Sequence, residues 1–341
     1  VVDRRGMLFG IAAYGLWGLF PLYWPLLKPA GSVEILAHRI MWSLVAVLAL
    51  CAVLRHWSWV RGLTRRRVLL LTVAAVVISA NWGTYIYAVN SGHTIEASLG
   101  YFINPLISIL LGVVVFRERL RAGQWAAVGL GTAAVTVLTV DYGRLPWIAL
   151  VLACSFGTYG LVKKFANMAS VESLAVETAV MFVPAAVLVL ALEADGSAAF
   201  GHHGAGNMAL LAGAGVVTAI PLLLFNGAAT RLPLSVIGML QYLAPVLQFL
   251  IGLLVQHEEM PASRWAGFLL VWAALIVLTV DGMSAGHRAR RTLRPPAPEA
   301  ACPFPRSRPF SSKPPDPWST SKPPDLFRRF WTSLEVALRS H

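Results

Sequence analysis

Ten apolar stretches, each about 20 residues long, occupy the first 282 residues of the chain. They run over 7–27, 34–54, 68–89, 95–116, 122–141, 145–163, 172–192, 206–226, 234–255 and 264–282. A helix of roughly 20 apolar residues is long enough to cross a hydrocarbon layer of about 30 Å. Lipid offers the backbone no hydrogen-bonding partner, so each such stretch must be helical. The ten-residue alternation of an outer-membrane barrel is absent. The expected class is therefore an all-α integral membrane protein with ten transmembrane helices. Composition agrees: 57% of the 341 residues are hydrophobic and only 13% are charged, against roughly 25% in a soluble domain. That balance excludes an ordinary soluble enzyme, a disordered chain and a disulfide scaffold. Two of the three cysteines, Cys51 and Cys154, lie inside apolar stretches and the third is Cys302, so no metal spacing arises. The run from Met7 is too long for the apolar part of a cleavable leader and is expected to be the first span.

The net charge of +12 suggests nucleic acid until the charges are placed. Arg4, Arg5, Arg55, Arg61, Arg65, Arg66, Arg67, Arg117, Arg119, Arg121, Lys163, Lys164 and Arg231 fall on one side of the expected membrane, and Lys28, Arg144 and Arg264 on the other. Positive loops stay cytoplasmic. The expectation is a multi-pass inner-membrane protein with both termini cytoplasmic, facing lipid and a small-molecule substrate rather than nucleic acid.

The chain also repeats itself. At a shift of 140 residues, Pro105, Gly112, Glu118 and Trp125 match Pro245, Gly252, Glu258 and Trp265, and Val137-Leu138-Thr139-Val140-Asp141 matches residues 277–281. At a shift of 138, Ser32-Val33-Glu34 matches Ser170-Val171-Glu172. Two halves of five spans follow, residues 1–142 and 143–282. Five is odd, so the second half enters from the opposite side. Such inverted-topology repeats are typical of secondary transporters, where a site between the halves is opened to alternate faces.

Polar residues inside spans are costly and mark candidate sites. Span 2 carries Glu34, His38 and Arg39. Glu96 opens span 4 on the same side, within expected reach of Arg39 or His38. Glu177 in span 7 is the repeat counterpart of Arg39 and would place an opposite charge at mirrored depth, so that each charge serves a gate. Span 3 carries Asn81 and Tyr85, span 4 Tyr101 and Asn104, and span 9 Gln241, Tyr242 and Gln248. Pro105 and Pro245 interrupt helical hydrogen bonding and are expected to kink spans 4 and 9, which makes spans 3, 4 and 9 the expected cavity walls. Tyr14 and Trp17 are the deep aromatics of span 1. For Asn104 and Gln241 a bond that merely ties helices together remains the alternative, and for Glu34, His38 and Arg39 it is snorkelling into headgroups. Spans 5 and 10 have almost no polar interior. They read as lipid-facing or partner-facing, which leaves room for a homodimer.

No HExxH, GxSxG or P-loop pattern occurs, and no aspartate pair sits in mid-membrane. No catalytic residue, metal or cofactor is expected. Residues 283–341 are a different material. They hold eleven prolines between Pro295 and Pro324 and the pentapeptide Ser-Lys-Pro-Pro-Asp twice. That composition predicts an extended basic cytoplasmic tail without a core. Residues 326–338 have the pattern of an interfacial amphipathic helix, with plain disorder as the alternative.

Several segments resemble the RarD proteins of the EamA group in the drug/metabolite transporter superfamily. They are EILAHRIMWS at 34–43, NW at 81–82, AVN at 88–90, EASLGYFINPL at 96–106, YGLVKK at 159–164, ATRLPLS at 229–235 and QYLAP at 241–245. The resemblance covers residues 5–282. It implies a ten-helix inner-membrane permease of two five-helix EamA repeats, with a central cavity among spans 1–4 and 6–9 and with spans 5 and 10 outside it. The function expected is a secondary transporter, an exporter of small metabolites or drug-like solutes. His38 and Arg39 beside amide-rich walls would suit an anionic or zwitterionic solute. A membrane enzyme acting on lipid-linked substrates and a non-transporting receptor are the other readings.

Overall fold

The computed structural model describes residues 3–53, 55, 57–117, 119–168 and 170–292. Glu118 and the tail beyond residue 292, with its expected amphipathic segment, lie outside the described residues. The chain divides into two units, Val1–Val277 and Leu278–His341. The candidate site residues all lie in the first unit.

Every described element is helical: α1 Arg4–Gly18, α2 Phe20–Tyr23, α3 Ser32–Val53, α4 Arg65–Asn90, α5 Thr94–Phe116, α6 Ala122–Tyr142, α7 Trp147–Ala166, α8 Ser170–Ala194, α9 Gly204–Ala229, α10 Leu234–Leu240, α11 Leu243–Leu254 and α12 Ala262–Thr292. Short 3₁₀ turns cover Trp24–Leu27 and Ser58–Gly62. Nine of the described segments are long and apolar enough to cross a membrane, with most of α10 and all of α11 joined as one, Val236–Leu254. The first expected span is instead broken, with a bend of 41° between α1 and the segment Phe20–Leu27, and it makes a tenth only if both pieces are counted together. The result is an all-α membrane protein.

Proline explains the bend. Pro21 has no N–H to return to the Trp17 carbonyl four residues earlier, and Pro25 has none for Pro21. Side-chain amides from far along the chain take their place. Gln248 Nε2 donates to the Trp17 carbonyl at 3.2 Å, and Gln256 Nε2 to the Pro21 carbonyl at 3.3 Å. Asn207 Nδ2 donates to the Leu27 carbonyl at 3.1 Å where the segment ends. A broken helix is tolerated in lipid when its neighbours re-satisfy the backbone in this way. The two mid-span prolines of the sequence reading differ. α5 runs unbroken through Pro105, whereas the helix is interrupted at Gln241–Tyr242 and Pro245 sits in the first turn of α11.

Packing pairs the helices across the expected halves. α7 lies against α4 and α5, α1 against α9 and α11, α3 against α8 and α9, α8 also against α4, and α5 against α11. Glycines set the closest approaches. A Cβ at Gly215 of α9 would run into the Trp42 backbone of α3, and one at Gly100 of α5 would lie 2.7 Å from the Ala149 carbonyl of α7. α6 buries little beyond Ala127, Gly131, Ala134 and Leu138, and it exposes Trp125 and Val140.

One end of the bundle is tied by carboxylates. Glu96 accepts from Arg144 at 3.0 Å and from the Ile148 amide at the start of α7. Glu258 accepts from the Ile95 amide at 2.9 Å, and from that of Thr94, at the start of α5. Asp141 at the end of α6 holds Arg264 at 2.8 Å. Glu34 accepts from the Ala199 and Phe200 amides at 2.8 and 3.1 Å. Glu96 and Glu258 thus meet orphan N–H groups at helix N-termini and the favourable end of the dipole.

Candidate functional site

α3 carries Arg39 seven residues past its first residue, and only 3% of the residue's surface is exposed. Its guanidinium is surrounded by rings. The carbon centre lies 4.0 Å from the Trp82 ring of α4, 5.1 Å from Trp24 and 5.8 Å from Phe20 of the bent first segment. Tyr23, Tyr85 and Tyr101 are close enough to act on it electrostatically. Nε donates to Thr218 Oγ1 of α9 at 2.9 Å, and that hydroxyl in turn donates a hydrogen bond to the Ala214 carbonyl. Nη1 has no partner, and among the described residues no carboxylate pairs with Arg39. The Trp24 indole N–H is also buried without a partner. The Tyr85 hydroxyl and the Gln248 side-chain amide lie side by side and engage one another.

A buried charge without a counter-ion costs several kcal/mol. Here ring faces offset part of that cost, at about 2 kcal/mol for a desolvated cation–π contact. The sequence suggested a cavity walled by spans 3, 4 and 9. At Arg39 the structure is packed instead, with aromatic faces closing over the guanidinium. A crevice of about 10 Å³, lined by Ile40, Ser79, Trp82 and Glu177 among others, lies alongside. It is large enough for one water at most.

The remaining candidates are distributed around this centre. His38 does not face Arg39's cage. It stacks on Phe200 with ring centroids 4.5 Å apart, and stands 4.0 Å from Glu34. Glu96 meets neither Arg39 nor His38, since Arg144 and the α7 amide hold it. Tyr101 donates to Asn81 Oδ1 at 3.2 Å, while Asn81 Nδ2 donates to the Leu152 carbonyl and to Ser155. Asn81 thus ties α4 and α5 to α7. Tyr14 and Trp17 form an edge-to-face cluster with Phe225. Asn104 is half-buried with its amide oxygen unpartnered, near Gly157. Gln241 caps α10, and Tyr242 packs against the apolar cluster that contains Phe249 and Phe268. Glu177 is buried at the opposite end from Glu34. It accepts from Lys163 at 2.9 Å, from the Tyr159 hydroxyl at 3.1 Å, and from Ser173.

Sequence reasoning did not reach Thr218, Gln256 or Asn207. Thr218 and Asn207 are isolated polar residues in an apolar stretch, and Gln256 opens the polar run Gln256-His257-Glu258-Glu259, so nothing in the sequence singles any of them out.

Comparison with known proteins places this core in a family. Residues 4–140 match the EamA-like transporter family. Protein RarD of Streptomyces exfoliatus is 59% identical over 299 residues, which is 87% of this chain and 95% of that protein. The chain belongs to the RarD family of EamA-type permeases. Protein RarD of Escherichia coli K12 is 39% identical, over 84% of this chain and 98% of its own length. A solved crystal structure superposes with a TM-score of 0.52 at 20% identity, over 86% of this chain and 100% of that one, which is a likeness of fold alone. Membership makes the protein a membrane transporter of the drug/metabolite class.

Proposed function

We propose that the protein is a secondary transporter that exports small metabolites or drug-like solutes by alternating access. Its working parts are two inverted five-helix halves, residues 1–142 and 143–282, in the inner membrane with both termini cytoplasmic. One observation carries the reading: a cation with no counter-charge among the described residues is buried where elements of both halves meet. Phe20, Trp24, Arg39 and Trp82 come from the first half, and Thr218 from the second. Ionisable groups at such depth are retained for function.

The packing supports the two-half arrangement. Exchanging α1 with α7, α3 with α8, α4 with α9 and α5 with α11 maps the main helix pairs onto one another. The family match also stops at residue 140, where the first half is expected to end. Alternating access then requires the two ends to part in turn. One is held across the halves by Glu96–Arg144, Asp141–Arg264 and Glu258 on α5.

The test is flux through purified protein in proteoliposomes, with a panel of amino acids, organic acids, amines and chloramphenicol. At least one solute should move faster than through protein-free vesicles, and Arg39→Gln should slow it at least about tenfold, the loss expected when one charge-assisted contact goes. Chemical turnover without flux would favour the membrane-enzyme reading and overturn this one.

A further inference from the structure

The chemistry around Arg39 restricts the solute, and this step rests on the transport reading above. We propose that the Arg39 cage is the subsite for the carboxylate of a monoanionic solute with a flat, aromatic body. Four observations converge on it. First, Nη1 of a nearly fully buried guanidinium has no hydrogen-bond partner. A planar fork of donors in that state matches a carboxylate. Second, Arg39 is the only cationic side chain in the cage among the described residues, so one negative charge balances it and two would leave an excess buried anion. Third, a zwitterion would also need an anion for its ammonium group. The carboxylates of this region are already engaged, Glu34 by two backbone amides and Glu177 by Lys163, Tyr159 and Ser173. Fourth, the walls are ring faces and edges from Phe20, Trp24, Trp82, Tyr85 and Tyr101, which favour an aromatic guest.

The rings now covering the cation stand in for the missing anion. A carboxylate would displace the Trp82 face and pair with Nη1, replacing a cation–π contact by a stronger charge-assisted hydrogen bond. The movement opens toward the adjoining crevice, which Trp82 also lines.

The experiment uses the purified full chain in lipid nanodiscs and four probes that share one ring: 4-hydroxybenzoate (anion), tyramine (cation), 4-hydroxybenzyl alcohol (neutral) and tyrosine (zwitterion). Ligand-induced thermal stabilisation is measured for each. 4-Hydroxybenzoate should stabilise the protein saturably and the other three should not. Arg39→Gln should weaken its binding at least about tenfold. Thr218→Val keeps the guanidinium but removes the Nε tether, and should weaken binding less than Arg39→Gln. It guards against a fold that fails without the arginine. Equal stabilisation by tyramine or the alcohol, or full binding by Arg39→Gln, overturns the proposal. If none of the four binds while the proteoliposome panel still shows flux of a cationic or neutral solute, the proposal fails and the transporter reading stands. If 4-hydroxybenzoate binds through Arg39 but nothing is transported, the subsite stands and the transporter reading fails.

Discussion

Arg39 and Gln256 illustrate two uses of a polar side chain inside an apolar bundle. Arg39 is held by ring faces and one hydroxyl, with donor capacity left over. Gln256 is engaged at both ends of its amide: it donates to the Pro21 carbonyl and accepts from the Thr94 hydroxyl. The first is poised for a ligand and the second repairs a backbone. Their substitutions should separate accordingly. Gln256→Leu removes the donor that replaces the N–H missing from Pro25, and should lower stability by roughly 1–2 kcal/mol, the upper range for interhelical hydrogen bonds in membranes. Reversible unfolding of the purified protein reads that loss directly. Binding of the anionic probe should be unaffected once the protein is folded. Unchanged stability in Gln256→Leu would mean that the Pro21 carbonyl has another donor. The sequence marked Arg39 because a charge in a span is visible in one dimension. It did not mark Gln256 as a repair, because the carbonyl it serves lies 235 residues away.

At the scale of helices, hydropathy located nearly all of the elements, since burial in lipid acts on each segment independently. Hydropathy could not locate the partners. Glu96 was within expected reach of Arg39 and His38 on the basis of side and depth. The close approach of α5 to α7 at Gly100 instead brings it to Arg144 and the Ile148 amide. The proline signal behaved similarly: α5 passes Pro105 intact, while the strongest bend falls in the first span. The α7–α8 pair offers a quantitative test. Lys163 and Glu177 form an ion pair in which the Glu177 side chain is 2% exposed. Lys163→Met leaves a buried carboxylate without its cation, and should cost about 3–5 kcal/mol. Lys163→Met with Glu177→Gln should recover most of it, because the double variant leaves no uncompensated charge. Thermal unfolding of both variants checks the pair, and strictly additive losses would show that it does not couple α7 to α8.

For the whole molecule, internal repetition in the sequence carried more information than any single motif. Under the proposed arrangement of five spans per half the second half runs opposite to the first, and the exchange of packing neighbours is what such a pair of halves should produce. The closed core around Arg39 was not legible, because how tightly two halves meet depends on side-chain shape rather than on hydropathy. The inverted relation is tested most directly by two-sided cysteine labelling. Cys51 is buried and Cys154 exposed, so the chain's own cysteines are first replaced. Single cysteines then go in at Arg119, between α5 and α6, and at Glu259, between α11 and α12. With inverted halves, a membrane-impermeant thiol reagent should label position 259 in intact cells and position 119 only after permeabilisation. Labelling of both positions from the same side would contradict the inversion.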